Sequence, residues 1–217
     1  MSVDYNDFFT TFSKSRENMK WEEIDYFLDF LGKEKLYSIS ILDVGCGNGR
    51  LIGHIEKKGI EITNYLGTDL SSGLITEAKK LHPDKSFQVL DMLSISEINE
   101  KFDYIFFIAS FHHLKTIEER IEVLKQTKKL LNTNGTIFMT NWALNSELNS
   151  EKYKESMIEN SKNEFLSQDY NIKIGEFIRY YHSFSLQELD YLFKNTGFEI
   201  VENRLFDNKR NFISIIK

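Results

Sequence analysis

"DVGCGNGR", Asp43 to Arg50, decides how this chain is read. It follows an apolar run, "SISILDVG" (38–45), and precedes a helical pattern opening near Asn48, so it is the turn of a buried strand into a helix. Glycines at 45, 47 and 49 remove side chains where such a turn is tight and leave bare backbone for a ligand to lie against. Asp69 ends the next apolar run, "ITNYLGTD" (62–69), at a distance along the chain where a carboxylate can accept both hydroxyls of a ribose. Glycine turn and acid together point to a nucleoside ligand far more sharply than either alone. The spacing is G-x-G-x-G after an acid, not the G-x-G-x-x-G that seats a pyrophosphate on a helix N-terminus.

Outward from this loop, apolar runs alternate with helical patterns, the signature of a mostly parallel sheet covered by helices. "SFQVLD" (86–91) reads as a third strand, "FDYIFFIA" (102–109) as a central fourth and "GTIFMTNWA" (135–143) as a fifth. "FEIVENRLF" and "RNFISIIK" close the sheet. Ser71 can cap the helix after the second strand. "TIEE" (116–119) and "SLQE" (185–188) are capping boxes, the first before a helix that puts Ile117, Ile121, Leu124 and Leu131 on one face and ends at "NTNG". "WEEIDYFLDFL" (21–31) is an amphipathic helix expected to pack on or over the ligand edge of the sheet. No Pro- or Gly-rich linker divides the chain. The expectation is one domain, 1–217, with an N-terminal helical cap, 1–35, and an inserted segment of helix plus loop, 144–178.

Composition narrows the function. The chain carries 41% apolar and 28% charged residues and a net charge of −6, which argues against a broadly basic nucleic-acid face. A lone cysteine, Cys46, excludes a disulfide framework and a cysteine-rich zinc site, and no metal ligand set is expected. The longest apolar run, "YIFFIASF", is too short to span a membrane, and "MSVDYNDFFT" lacks a signal pattern, so a cytoplasmic location is expected.

The glycine loop resembles the first motif of the class I methyltransferases that use S-adenosyl-L-methionine. The resemblance implies their fold, α/β and Rossmann-like, a seven-stranded, mostly parallel sheet with helices on both faces. In that family the acid after the second strand holds the ribose, which falls on Asp69, with Leu70 against the adenine. The acid after the third strand meets the adenine amino group, which falls on Asp91, with the Met92 backbone beside it; Asp91 also reads as a turn residue opening "DMLS". The loop of Gly45, Gly47 and Gly49 lies along the methionine portion, and Asp43 orients the loop and the methionine end.

Four further stretches look like the tRNA methyltransferases that esterify a carboxymethyl group on the wobble uridine. "FSKSRENMKW" (12–21), "FHHLKT" (111–116), "NWA" (141–143) and "RYYHSF" (179–184) match that family's F-S-x-x-R…W, I-H-H-L-S-T, W-A-L-E-Q and R-Y-Y-H-x-F. Only 144–168 departs freely. The resemblance implies the tRNA anticodon loop as partner and a small zinc-binding activator subunit. A carboxylate, with a reference pKa of about 4, needs orientation rather than a strong base. Arg179 and Arg16, two of six arginines, could clamp it through bidentate hydrogen bonds, while Tyr180, Tyr181, His113 and Trp142 stack on the base or donate to it. Arg16 equally suits a surface pair with Glu17, Glu22 or Glu23, and His112 a structural role. In a strand, Arg179 and Tyr181 would face one side and Tyr180 and His182 the other. Two alternatives stand beside this reading: a methyltransferase for a small-molecule carboxylate or quinone-like phenol, with His113 then needed as a base, and a catalytically silent cofactor-binding subunit.

Overall fold

The structure, a computed structural model, describes residues 21–31 and 39–217. Its strands in chain order are β1 Ser40–Val44, β2 Asn64–Asp69, β3 Ser86–Val89, β4 Phe102–Ile108, β5 Leu131–Trp142, β6 Gln168–Ile174, β7 Phe177–Ser183, β8 Ile200–Leu205 and β9 Asn211–Ile216. The helices are α1 Glu22–Leu31, α2 Arg50–Lys57, α3 Ser72–Leu81, α4 Ile117–Lys129, α5 Ser150–Tyr153 and α6 Leu186–Asn195. Seven strands form one sheet in the order β3-β2-β1-β4-β5-β9-β8, and β6 and β7 pair separately. The first five are parallel, and β9 is inserted antiparallel between β5 and β8. The expected mostly parallel, seven-stranded sheet with helices on both faces is what the chain forms.

Strand alternation sorts the core. Ile41, Phe106 and Phe138 face α1, α2 and α3 through Phe27, Leu28, Leu51, Ile55 and Ile75. Leu42, Ile105 and Ile137 face α4 and α6 through Val123, Leu124, Leu189 and Leu192. The strand order reverses between β1 and β4, so the loops after these strands part and open a crevice at their carboxyl ends.

Three local expectations change. Helix α1 does not lie over the crevice: Ile24, Phe27, Leu28 and Leu31 are buried on the sheet face, with the Phe27 ring 5.1 Å from Phe138. Only its first turn, through Glu23 and Ile24, and the preceding Trp21 reach the cavity described below. Strand β5 starts at Leu131, not Gly135, because Leu131 pairs with Phe102 and leaves the helical face; "NTNG" lies within the strand, across a register shift, with Asn134 left-handed at φ 65°. The segment 144–178 is not only helix and loop. After the short α5, "QDYNIKI" forms β6 and turns at Gly175 into β7. Gln168, Tyr170 and Ile172 are buried while Asn171 and Lys173 are exposed, a period of two hidden by polar residues on both faces.

Thr116 and Glu119 close the reciprocal box at the start of α4. At α6 only half of the box forms: Ser185 accepts the Glu188 N–H, but the Glu188 carboxylate leaves the cap. It accepts from Arg120 Nη1 at 3.0 Å, His182 Nε2 at 2.8 Å and Asn163 Nδ2 at 3.1 Å. Burial alone would raise the Glu188 carboxyl, but bonding and charge from His182, then Ser167 and Arg120, bring it down to about 2. Because Arg120 is itself buried, Glu188→Ala strands a cation in the interior. The expected cost is about 3–5 kcal/mol, checked by urea unfolding.

Candidate active site

A cavity of about 900 Å³ occupies the crevice between β1 and β4. It is lined by the glycine loop, Asp69–Leu70, Asp91–Met92, His112–His113, Trp142 and Arg179–Tyr181. Residues from both expected clusters, cofactor-side and substrate-side, thus share one chamber of a size ordinary for small-molecule sites.

The three glycines of the loop have different reasons to exist. All have positive φ. A Cβ on Gly45 would stand 2.4 Å from the Ser110 Cβ, and one on Gly49 2.8 Å from the His82 ring. Gly47 alone has open space within 4 Å of where a Cβ would stand, whereas Gly45 and Gly49 meet side chains there in addition to their left-handed backbone. Ser110 locks this arrangement by donating its Oγ–H to the Val44 carbonyl at 2.6 Å. Gly45→Ala is therefore expected to lose about 3 kcal/mol of stability in urea unfolding, against about 1 kcal/mol for Gly47→Ala, where only the left-handed backbone opposes a methyl group. Cys46 within the loop is buried, and burial pushes its thiol up, away from reactivity.

Asp69 holds the loop from the side. Its Oδ2 accepts the Gly47 N–H and its Oδ1 the Ser71 N–H, both at 2.9 Å. Burial raises its pKa despite these bonds. Leu70, next along the chain, is 54% exposed, an apolar side chain standing in the cavity wall. Asp91 Oδ1 accepts the Leu93 N–H at 3.0 Å and caps the 3-10 turn Met92–Glu97, so its turn role is present alongside its place in the wall.

Asp43 is 2% exposed; its Oδ2 accepts from the Tyr65 hydroxyl at 2.9 Å, and its Oδ1 has no partner among the described residues. Burial lifts its carboxyl to about 7, with Tyr65 and Arg50 opposing. Since this pKa is raised above the unfolded value, the folded chain keeps a proton that the unfolded chain loses. Stability should fall as pH rises from about 4 through about 7, by as much as about 4 kcal/mol, and Asp43→Asn should flatten that slope. Urea midpoints of the cofactor-free protein at pH 5 and pH 8 check it.

On the opposite wall, β7 delivers the alternation expected of "RYYHSF". Arg179 and Tyr181 are buried toward the cavity, with the guanidinium 5.5 Å from the Tyr181 ring. Tyr180 also contributes to the cavity lining, but its hydroxyl points to structure: it donates to Asp169 Oδ1 at 2.8 Å, and burial together with Asp169 raises its pKa. His182 spans Asp169 and Glu188. His113 Nδ1 lies 2.9 Å from the Tyr180 carbonyl and its Nε2 2.8 Å from Arg179 Nη2. His112 is buried and takes the Trp142 N–H on Nδ1 at 3.1 Å. The Trp142 ring meets Tyr181 and Tyr153 edge-on, each at 5.1 Å. The Tyr181 hydroxyl is buried with no partner among the described residues. Arg16 lies outside the described residues.

Sequence reading missed several residues. Glu23 is buried in the wall, accepting from Asn208 and Asn211 at 3.0 and 2.7 Å. Ala109, at the end of β4, is left-handed at φ 52°. Ser110, Asp169 and Arg120 carry no motif, Glu188 was read only as a capping residue, and their contacts span 66, 13 and 68 positions of chain, too distant for any local signal. Among the described residues no helix is long and apolar enough to cross a membrane, and no three His, Cys, Asp or Glu side chains gather as a metal site.

Known proteins share this fold. A family model described as a methyltransferase domain matches residues 15–203. Over 153 residues the chain is 35% identical to the tRNA (carboxymethyluridine(34)-5-O)-methyltransferase of Saccharomyces cerevisiae, covering 70% of this chain and 51% of that one. The Schizosaccharomyces pombe protein of the same name is 25% identical over 214 residues, covering 92% and 88%. The chain thus spans about half the length of the first relative, and 21% of the mouse relative of similar name, to which it is 30% identical over 69% of its own length. A solved S-adenosylmethionine-dependent methyltransferase from Clostridium acetobutylicum superposes with a TM-score of 0.69 at 17% identity, covering 98% of both chains. The chain belongs to the methyltransferase-domain family, and its fold is that of the enzymes that take a methyl group from S-adenosylmethionine. The cavity fits that cofactor: Gly47 leaves room against the backbone, Leu70 offers an apolar wall, and the unpartnered Asp43 Oδ1 suits a cationic donor.

Proposed function

We propose that this methyltransferase esterifies the carboxylate of 5-carboxymethyluridine at the wobble position of tRNA. The observation that carries it is Arg179, a buried guanidinium fork seated on a tyrosine ring and a histidine, in the same chamber as the glycine loop. An arginine fork matches a carboxylate bidentately, and burial strengthens the match. The names of the yeast and mouse relatives support the same substrate.

In this reading Asp69 accepts the ribose hydroxyls on the lone pairs its backbone bonds leave over, Leu70, Asp91 and Met92 bound the adenine, and Gly47 and Asp43 receive the methionine end. The bound cofactor supplies an electrophilic methyl group on a sulfonium. Arg179, joined by Arg16, holds the carboxylate so that one oxygen faces that methyl, and Tyr181 and Trp142 flank the uracil. Orientation is the whole of the task, since the nucleophile is ionised on arrival. Tyr180 supports the wall through Asp169 rather than touching substrate.

The test is incubation with radiolabelled S-adenosylmethionine and total tRNA from cells lacking the wobble methyl ester, beside a metabolite extract. The small zinc-binding activator implied by the resemblance belongs in the assay in a parallel arm. Base-labile label in tRNA supports the proposal, and label only in the metabolite fraction overturns it.

A further inference from the structure

We propose that His113 is a positioning residue that fixes the Arg179 fork and is not the base of the reaction. The inference rests on the proposed carboxylate acceptor and narrows how it is handled. A guanidinium has donors only, so at 2.8 Å the His113 Nε2 must accept from Arg179 Nη2. A carbonyl has acceptors only, so at 2.9 Å the His113 Nδ1 must carry the proton that the Tyr180 carbonyl receives. Both bonds together define one neutral tautomer. The ring ties the head of Arg179 to the backbone of the next residue on the same strand, so the long side chain is held at both ends.

The same geometry removes His113 from acid–base chemistry. A proton taken at Nε2 would set one cation against another and break the bond that aims the fork. His112, the other histidine of the cavity, accepts the Trp142 N–H on Nδ1, so its proton sits on Nε2. Neither ring can take a proton from substrate without losing a bond shown here. The proton of a phenol or an amine would reach either histidine only at the cost of one of these bonds. A carboxylate needs none removed: an oxygen lone pair forms the new O–CH3 bond, the C–S bond breaks, and its electron pair stays on sulfur as the thioether.

Three variants and one spectrum test this. His113→Gln offers an amide nitrogen to Tyr180 and an amide oxygen to Arg179, whereas His113→Ala offers neither. The expected result is that His113→Gln retains a tenth or more of kcat on tRNA while His113→Ala loses about a hundredfold at unchanged cofactor affinity. Combining His113→Ala with Arg179→Ala should cost no more than Arg179→Ala alone. His113→Gln as inactive as His113→Ala, with cofactor binding intact, would make the ring a base and overturn the proposal. In the full chain labelled with 15N-histidine, the Nε2 of His113 should be unprotonated at pH 7 and shift on Arg179→Ala; a protonated Nε2 overturns it as well. If wild-type protein labels no tRNA, the carboxymethyluridine reading fails separately, and the nitrogen signals still decide the role of His113.

Discussion

Replacing Asp69 by alanine is expected to weaken S-adenosylmethionine binding by at least a hundredfold and to remove methyl transfer. Its two oxygens each accept a backbone N–H, from Gly47 and Ser71, inside a buried wall. Bonds to a charged acceptor contribute about 1.5–3 kcal/mol each, so losing both undoes about 3–6 kcal/mol of loop placement before any ribose contact is counted. Asp69→Asn should fare little better, because an amide has one acceptor oxygen where the site has donors on two sides. Isothermal titration with S-adenosylmethionine measures the effect, and affinity within tenfold of wild type in Asp69→Ala would show that the loop does not depend on this carboxylate.

The second large effect is at Arg179. Arg179→Lys keeps the charge but replaces a planar fork by a single ammonium, which cannot both bond His113 and present two parallel donors to a carboxylate. The expected result is a fall in kcat on tRNA of about 10²–10³ with cofactor affinity within twofold. Single-turnover transfer with saturating cofactor separates this from a binding defect. Transfer at the wild-type rate would sink the clamp and, with it, the reason for reading the acceptor as a carboxylate.

Both predictions depend on what the cavity joins. Asp69 and the glycine loop stand on β2 and β1; Arg179 stands on a hairpin outside the main sheet. The hairpin is held to α4 and α6 through Arg120, Glu188, His182 and Asp169, so these side chains fix the place of Arg179 in the fold.

Much of this was legible in the linear chain because its causes are local. A strand's alternation, a glycine turn and a Thr116–Glu119 box are settled by residues within a few positions of one another, so the order of strands and helices, the loop at Asp43–Arg50 and the acid at Asp69 could be read directly. The hairpin strand β6 escaped because its inward residues, Gln168 and Tyr170, do not read as apolar, although its period of two was present. The reasons behind the signals lay further apart. Gly45 has no room for a Cβ on account of Ser110, and Glu188 abandons its cap for Arg120; no window of sequence contains both members of either pair. Propensity and periodicity act over a turn or two, and that range is enough for the fold class and the glycine turn. The room at Gly47, the Tyr180–Asp169 bond and the His113–Arg179 bond come into view only in the folded chain, because geometry between distant segments exists only once the chain has closed on itself.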